Sequence, residues 1–166
     1  MKYWKAGIWF LVAFLLQNTF LNLFSIMDST PNLLLSAVIV FSFIYEIEVY
    51  GIVFGAVFGV LYDICWGSTI GPTAISLVVV AFILIFVREY VTRNNVPVAL
   101  FSFALSICIF CTLYWCFQSF SGNTIGYIHA MKESIIGSCY TWVISTLVYF
   151  IYIKLNKEER KDRFFG

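Results

Sequence analysis

From Tyr50 to Asp63 the chain reads Tyr-Gly-Ile-Val-Phe-Gly-Ala-Val-Phe-Gly-Val-Leu-Tyr-Asp, an apolar run with glycine at every fourth position and one carboxylate at its end. A four-residue step advances only about 40° around an α-helix, so Gly51, Gly55, Gly59 and Asp63 form a single stripe. In water each glycine would weaken that helix by about 0.8–1 kcal/mol relative to alanine. In lipid the backbone must satisfy its own hydrogen bonds, so the helix forms anyway. The missing side chains then let another backbone approach closely. The stripe therefore predicts a packing seam, within the chain or against a partner, and the rest of the chain is expected to surround this helix. Asp63, one turn further on, must face protein, water or the bilayer boundary rather than lipid tails.

Composition makes the lipid reading firm. Hydrophobic residues are 61% of the 166, charged residues 11%, and the mean hydropathy is +0.92. Water-soluble domains sit near 45–50% apolar and about 25% charged, and a chain this short has no interior large enough for the excess. The class is all-α: a polytopic membrane protein of about six helices, with a single transmembrane domain over 1–153 and a charged tail over 154–166. A net charge of +1 gives no nucleic-acid signal.

Breaker-rich turns divide the chain. The first segment, Ala6 to about Met27, follows Lys2 and Lys5 and is interrupted by Gln17, Asn18 and Asn22; it lacks the short core and cleavage site of a signal peptide. Pro31 biases Thr30 away from helix and suits the first turn of a second span, Leu33 to about Tyr45. That span is short for a bilayer and runs into a turn at Glu46-Ile47-Glu48; spans two and three could instead form a re-entrant hairpin. The glycine helix ends near Trp66, and the loop to Gly71-Pro72 opens a fourth span, Thr73 to Val87. A charged connection, Arg88 to Asn95, leads to a fifth span from Val98 to about Phe117, just after Pro97. A polar loop from Gln118 to His129 precedes the last span, Ile135 to Ile153.

With six spans, Lys2, Lys5, Arg88, Arg93 and five tail bases share one side, and Lys132 alone lies on the other. Nine Lys and Arg against one place both termini in the cytoplasm.

Chemistry is scarce. His129 is the one histidine and has no ligand or nucleophile partner nearby in sequence. Cys108 and Cys111 have a metal-pair spacing, but within an apolar helix cysteine acts as a small hydrophobe, and no second ligand pair exists. Neither a phosphate-cradling loop nor a nucleophile triad is present, so no catalytic residue, metal or cofactor is expected. At about 1.5 Å per residue Asp63 lies about 20 Å from Tyr50, in the outer third of the core, which favours a boundary position over a midplane relay.

Three signatures in order, Pro31-Asn32-Leu33-Leu34-Leu35, then Gly51-x3-Gly55-x3-Gly59-x3-Asp63, then Ser68-Thr69-Ile70-Gly71, resemble the MreD family of rod-shape-determining membrane proteins. The resemblance is clearest over residues 31–80. It departs at Asn32, where the family usually has Asp, and at Glu46 and Glu48, where it often has a basic turn. The resemblance implies a non-enzymatic inner-membrane scaffold of the bacterial cell-elongation and peptidoglycan-synthesis machinery. Its implied partners are an MreC-like bitopic protein, the peptidoglycan synthase pair, an MreB-like filament and the bilayer. It also implies similarity to the six-helix substrate-binding subunits of ECF-type vitamin transporters. A vitamin-binding subunit is therefore the alternative, but it would need convergent polar groups near the outer face. Asp63, Gln118, Asn123 and a few hydroxyls are the available candidates.

Overall fold

A computed structural model describes residues 3–19, 31–44, 49–67, 69–90, 96–122 and 126–162. Among them all regular structure is helical: α1 (Tyr3–Thr19), α2 (Leu33–Ile44), α3 (Val49–Trp66), α4 (Pro72–Tyr90), α5 (Val96–Phe120) and α6 (Tyr127–Asp162). Asn22, Asp28 to Thr30, the Glu46-Ile47-Glu48 turn, Ser68, Arg93 and Asn123 lie outside the described residues.

The element at the centre is α2, and the glycine helix α3 is one of its neighbours. Helix α2 packs against all five other helices, whereas α3 packs against α1, α2 and α4. Leu34, Leu35, Val38 and Ile39 of α2 are essentially inaccessible, while Val53, Val57 and Ile64 leave a whole face of α3 exposed. The expectation that the chain surrounds the glycine helix is thus corrected. Lipid and protein interior are both apolar, so a run of Leu, Val, Ile and Phe does not say which of the two encloses it.

Large apolar side chains cover the outside: Phe82 and Phe86 on α4, Phe101 and Leu105 on α5, Leu147 and Ile151 on α6. The inside holds Gln17, Ser36, Asp63, Ser106, Thr141 and Ser145 among its buried groups. A water-soluble bundle covers its outside with polar side chains instead. Two helical stretches, Val96–Phe120 and Ser134–Ile151, are long and apolar enough to cross a membrane, and only 33% and 17% of their apolar windows are buried. They are not core helices of a soluble fold. Buried hydroxyls bond along their own helices instead, as Ser102 and Ser106 do to the carbonyls four residues back at 2.8 Å.

Several boundaries move. Helix α5 begins ahead of Pro97, which occupies the first turn, where its missing N–H costs nothing. It runs on to Phe120, so Gln118 of the expected polar loop over 118–129 lies in α5, and His129 joins α6, exposed. Gly122, at φ 92°, ends α5. Helix α6 continues without a break from residue 153 to Asp162.

Candidate functional site

The glycine stripe is the interface of α3 with α2 and α4. Gly51, Gly55, Gly59 and Asp63 are all buried. A β-carbon on Gly51 would collide with the Ser42 side chain of α2. One on Gly55 would sit 3.2 Å from a Val38 methyl, and one on Gly59 would lie 2.6 Å from the Ala74 Cα of α4. At Gly59 main chain opposes main chain, so the neighbour cannot give way as a side chain can.

One turn beyond Gly59, the Asp63 carboxylate is 2% exposed. Its oxygens accept N–H bonds from Gly71 at 2.9 Å, Thr73 at 3.1 Å and Ala74 at 3.3 Å. These amides are the open N-terminal donors of α4, which has no helical partner for them. A side chain on α3 therefore caps α4, and its charge sits at the positive end of the α4 dipole. Pro72 starts α4 with its missing N–H at a position that needs none. Gly71 has φ 120°, a backbone state that a β-carbon disfavours, and it turns its N–H onto Asp63. Gly67 closes α3, its N–H bonding the Asp63 carbonyl at 2.9 Å.

The opposite end of the molecule uses the opposite charge. Arg88, in the last turn of α4, donates from Nη1 to the Ser42 carbonyl of α2 at 3.5 Å. A cation near helix C-terminal carbonyls complements the α2 dipole. Asp63 and Arg88 both hold helix ends.

Sequence reasoning missed the cap of α2. Asn32 Oδ1 accepts the Leu35 N–H at 2.9 Å, so Asn32 is the N-cap and Pro31 lies before the helix rather than in its first turn. Gln17 of α1 donates to the Pro31 carbonyl at 3.3 Å and accepts the Leu33 N–H. Thr141 of α6 accepts the Asn32 N–H at 2.9 Å, and Ser36 shares a hydrogen bond with Ser145 at 2.9 Å. A Pro-Asn pair directly before an apolar helix was the available signal. Asn and Asp cap equally well, so the departure from Pro-Asp preserves the geometry.

Cys111 meets Ser138 at 3.5 Å, while Cys108 is exposed on the outer surface of α5. Among the described residues no group of three His, Cys, Asp or Glu side chains could hold a metal ion. The polar groups of the seam bond to helix ends.

A family model for the rod shape-determining protein MreD matches residues 1–158. The chain belongs to the MreD family. No curated protein and no solved structure matches it. Family membership makes this a rod-shape-determining membrane protein.

Proposed function

We propose that the chain is a non-catalytic, multi-pass scaffold of the inner membrane that docks an MreC-like single-span protein within the cell-elongation machinery. Six helices cross or enter the bilayer, with both termini cytoplasmic. Through its partner the scaffold stands beside the peptidoglycan synthase pair and an MreB-like filament. The observation that carries this reading is the family match over 1–158. The chemistry agrees with it: the polar groups of Asp63, Asn32 and Gln17 are committed to helix ends. Without a strong hydrophobic drive between helices in lipid, recognition rests on shape and small residues.

Depletion in the native bacterium, combined with affinity purification, tests the proposal. Elongated cells should round or swell, and an MreC-like protein should be recovered in a fixed ratio. Recovery with an ATPase pair and a transmembrane coupling subunit, with cell shape unchanged, would replace the scaffold by a transporter subunit.

A further inference from the structure

The walls that this molecule turns to lipid differ in height. On α4 the charge-free stretch, residues 72–87, rises about 24 Å. On α6 the charge-free stretch, residues 134–153, rises about 30 Å, and on α5 Val96–Phe120 rises about 37 Å. A bilayer core is about 30 Å thick. The α5–α6 wall therefore matches or exceeds it, and the α4 wall falls short.

Both ends of the short wall are fixed. At one end, Gly67 and residues 69–71 form irregular chain between α3 and α4, with Gly67 exposed and Ile70 73% exposed. Lipid-exposed irregular backbone is not tolerated in hydrocarbon, because its polar groups find no partner there. The turn therefore marks where hydrocarbon ends. At the other end, the Arg88 guanidinium is tied to the Ser42 carbonyl, so its long side chain does not reach away toward a more distant headgroup layer. Tilting the molecule does not supply the missing height. Tilt shortens the depth that a helix spans, which suits the long α5 and worsens the mismatch at α4.

Contacts along α2 show at which end the walls part. Gly51 and Gly55 of α3 stand against Ser42 and Val38, while Asn32 and Ser36 bond Thr141 and Ser145 of α6. Followed through α2, this register sets Asp63 about level with Ser138 of α6, which meets Cys111 of α5. Past that level α3 continues to Trp66, about 5 Å, whereas α5 continues to Phe120, about 14 Å.

The geometry points to a bilayer that is thinned beside α3 and α4, chiefly at the Asp63 end, and kept at full thickness beside α5 and α6. The occupant of the short wall is phospholipid with compressed acyl chains. Val57, Ile64, Phe82 and Phe86 present it an exposed apolar surface. The step in the bilayer surface is roughly 5–10 Å within the width of one molecule. It requires only that the chain lies in a membrane, so it stands apart from the scaffold reading.

The test uses the full-length protein, its five native cysteines replaced, in dioleoyl phosphatidylcholine vesicles. A nitroxide is attached at Ile70→Cys or Phe86→Cys on the short wall, or at Ile135→Cys or Ile151→Cys on α6, all exposed positions. Its depth is read from collisions with oxygen and with an aqueous nickel chelate. Both short-wall labels should read headgroup depth, and both α6 labels, the same number of residues apart, should read hydrocarbon. Nickel access at Ile70→Cys should exceed that at Ile135→Cys about fivefold, and the contrast should fall about twofold in dimyristoleoyl vesicles, whose thinner core needs less compression. Hydrocarbon depth at Ile70→Cys, or a contrast independent of acyl length, would overturn the thinning. Loss of access to both reagents at Phe82→Cys would show that protein covers the short wall, and would overturn it as well.

Discussion

Replacing Asp63 by alanine removes the acceptor for three main-chain amides at the start of α4. Thr73 and Ala74 are buried, so their N–H groups are left without a partner, and the α4 dipole loses its compensating charge. The expected loss is about 2–4 kcal/mol, seen as a lower unfolding temperature in detergent. Asp63→Asn keeps one accepting oxygen and should lose roughly half as much. Equal stability of all three chains would show that the cap contributes nothing. The sequence placed Asp63 on the stripe and limited it to protein, water or the boundary. Its amide partners, eight to eleven residues ahead, were not readable. They depend on how tightly the chain turns between Trp66 and Pro72, and hence on the φ of Gly71.

At the level of elements, the α3 seam is graded. Gly59→Ala drives a β-carbon to 2.6 Å from the Ala74 Cα, so α3 and α4 must separate. Gly55→Ala meets a Val38 methyl at 3.2 Å, which a small side-chain shift relieves. Gly59→Ala should therefore cost about 1–3 kcal/mol and reduce the yield of folded protein. Gly55→Ala should cost less, and Val57→Leu, on the exposed face, should be neutral. Thermal unfolding of the three purified variants ranks them, and a worse outcome at Gly55 than at Gly59 would contradict the geometry. The four-residue glycine period was legible because it needs only one helix. The gradient along it was not, because it depends on α2 and α4. The cap of α2 divides in the same way: Asn32 can be recognised from its neighbours, whereas Gln17 and Thr141 reach α2 from helices distant in sequence.

For the whole molecule, lipid as solvent explains both what could be read and what could not. Apolar composition and breaker-rich turns disclosed a helical membrane protein. They left open which helix sits at the centre, since α2 would look the same facing acyl chains. Length supplies a constraint that composition cannot. Helix α2, at 12 residues, is only about 18 Å long, so it cannot by itself cross a core of about 30 Å. It can occupy the centre because its ends are held by protein: Asn32, Gln17 and Thr141 at one end, Arg88 at the other. Orientation is then a separate question, set by charge outside the core. The proposed six-span arrangement puts nine of the ten Lys and Arg residues on the side of the termini and the α4–α5 connection. That bias predicts the α5–α6 turn outside and the tail inside. In a chain whose five native cysteines are replaced, Ser121→Cys should react with an impermeant maleimide on intact spheroplasts. Gly166→Cys should react only after lysis. Ser121 is exposed just past the end of α5 and its side chain bonds the Phe117 carbonyl of that helix, so the substitution should leave the fold intact. Labelling of the tail in intact spheroplasts, with Ser121→Cys protected, would invert the orientation.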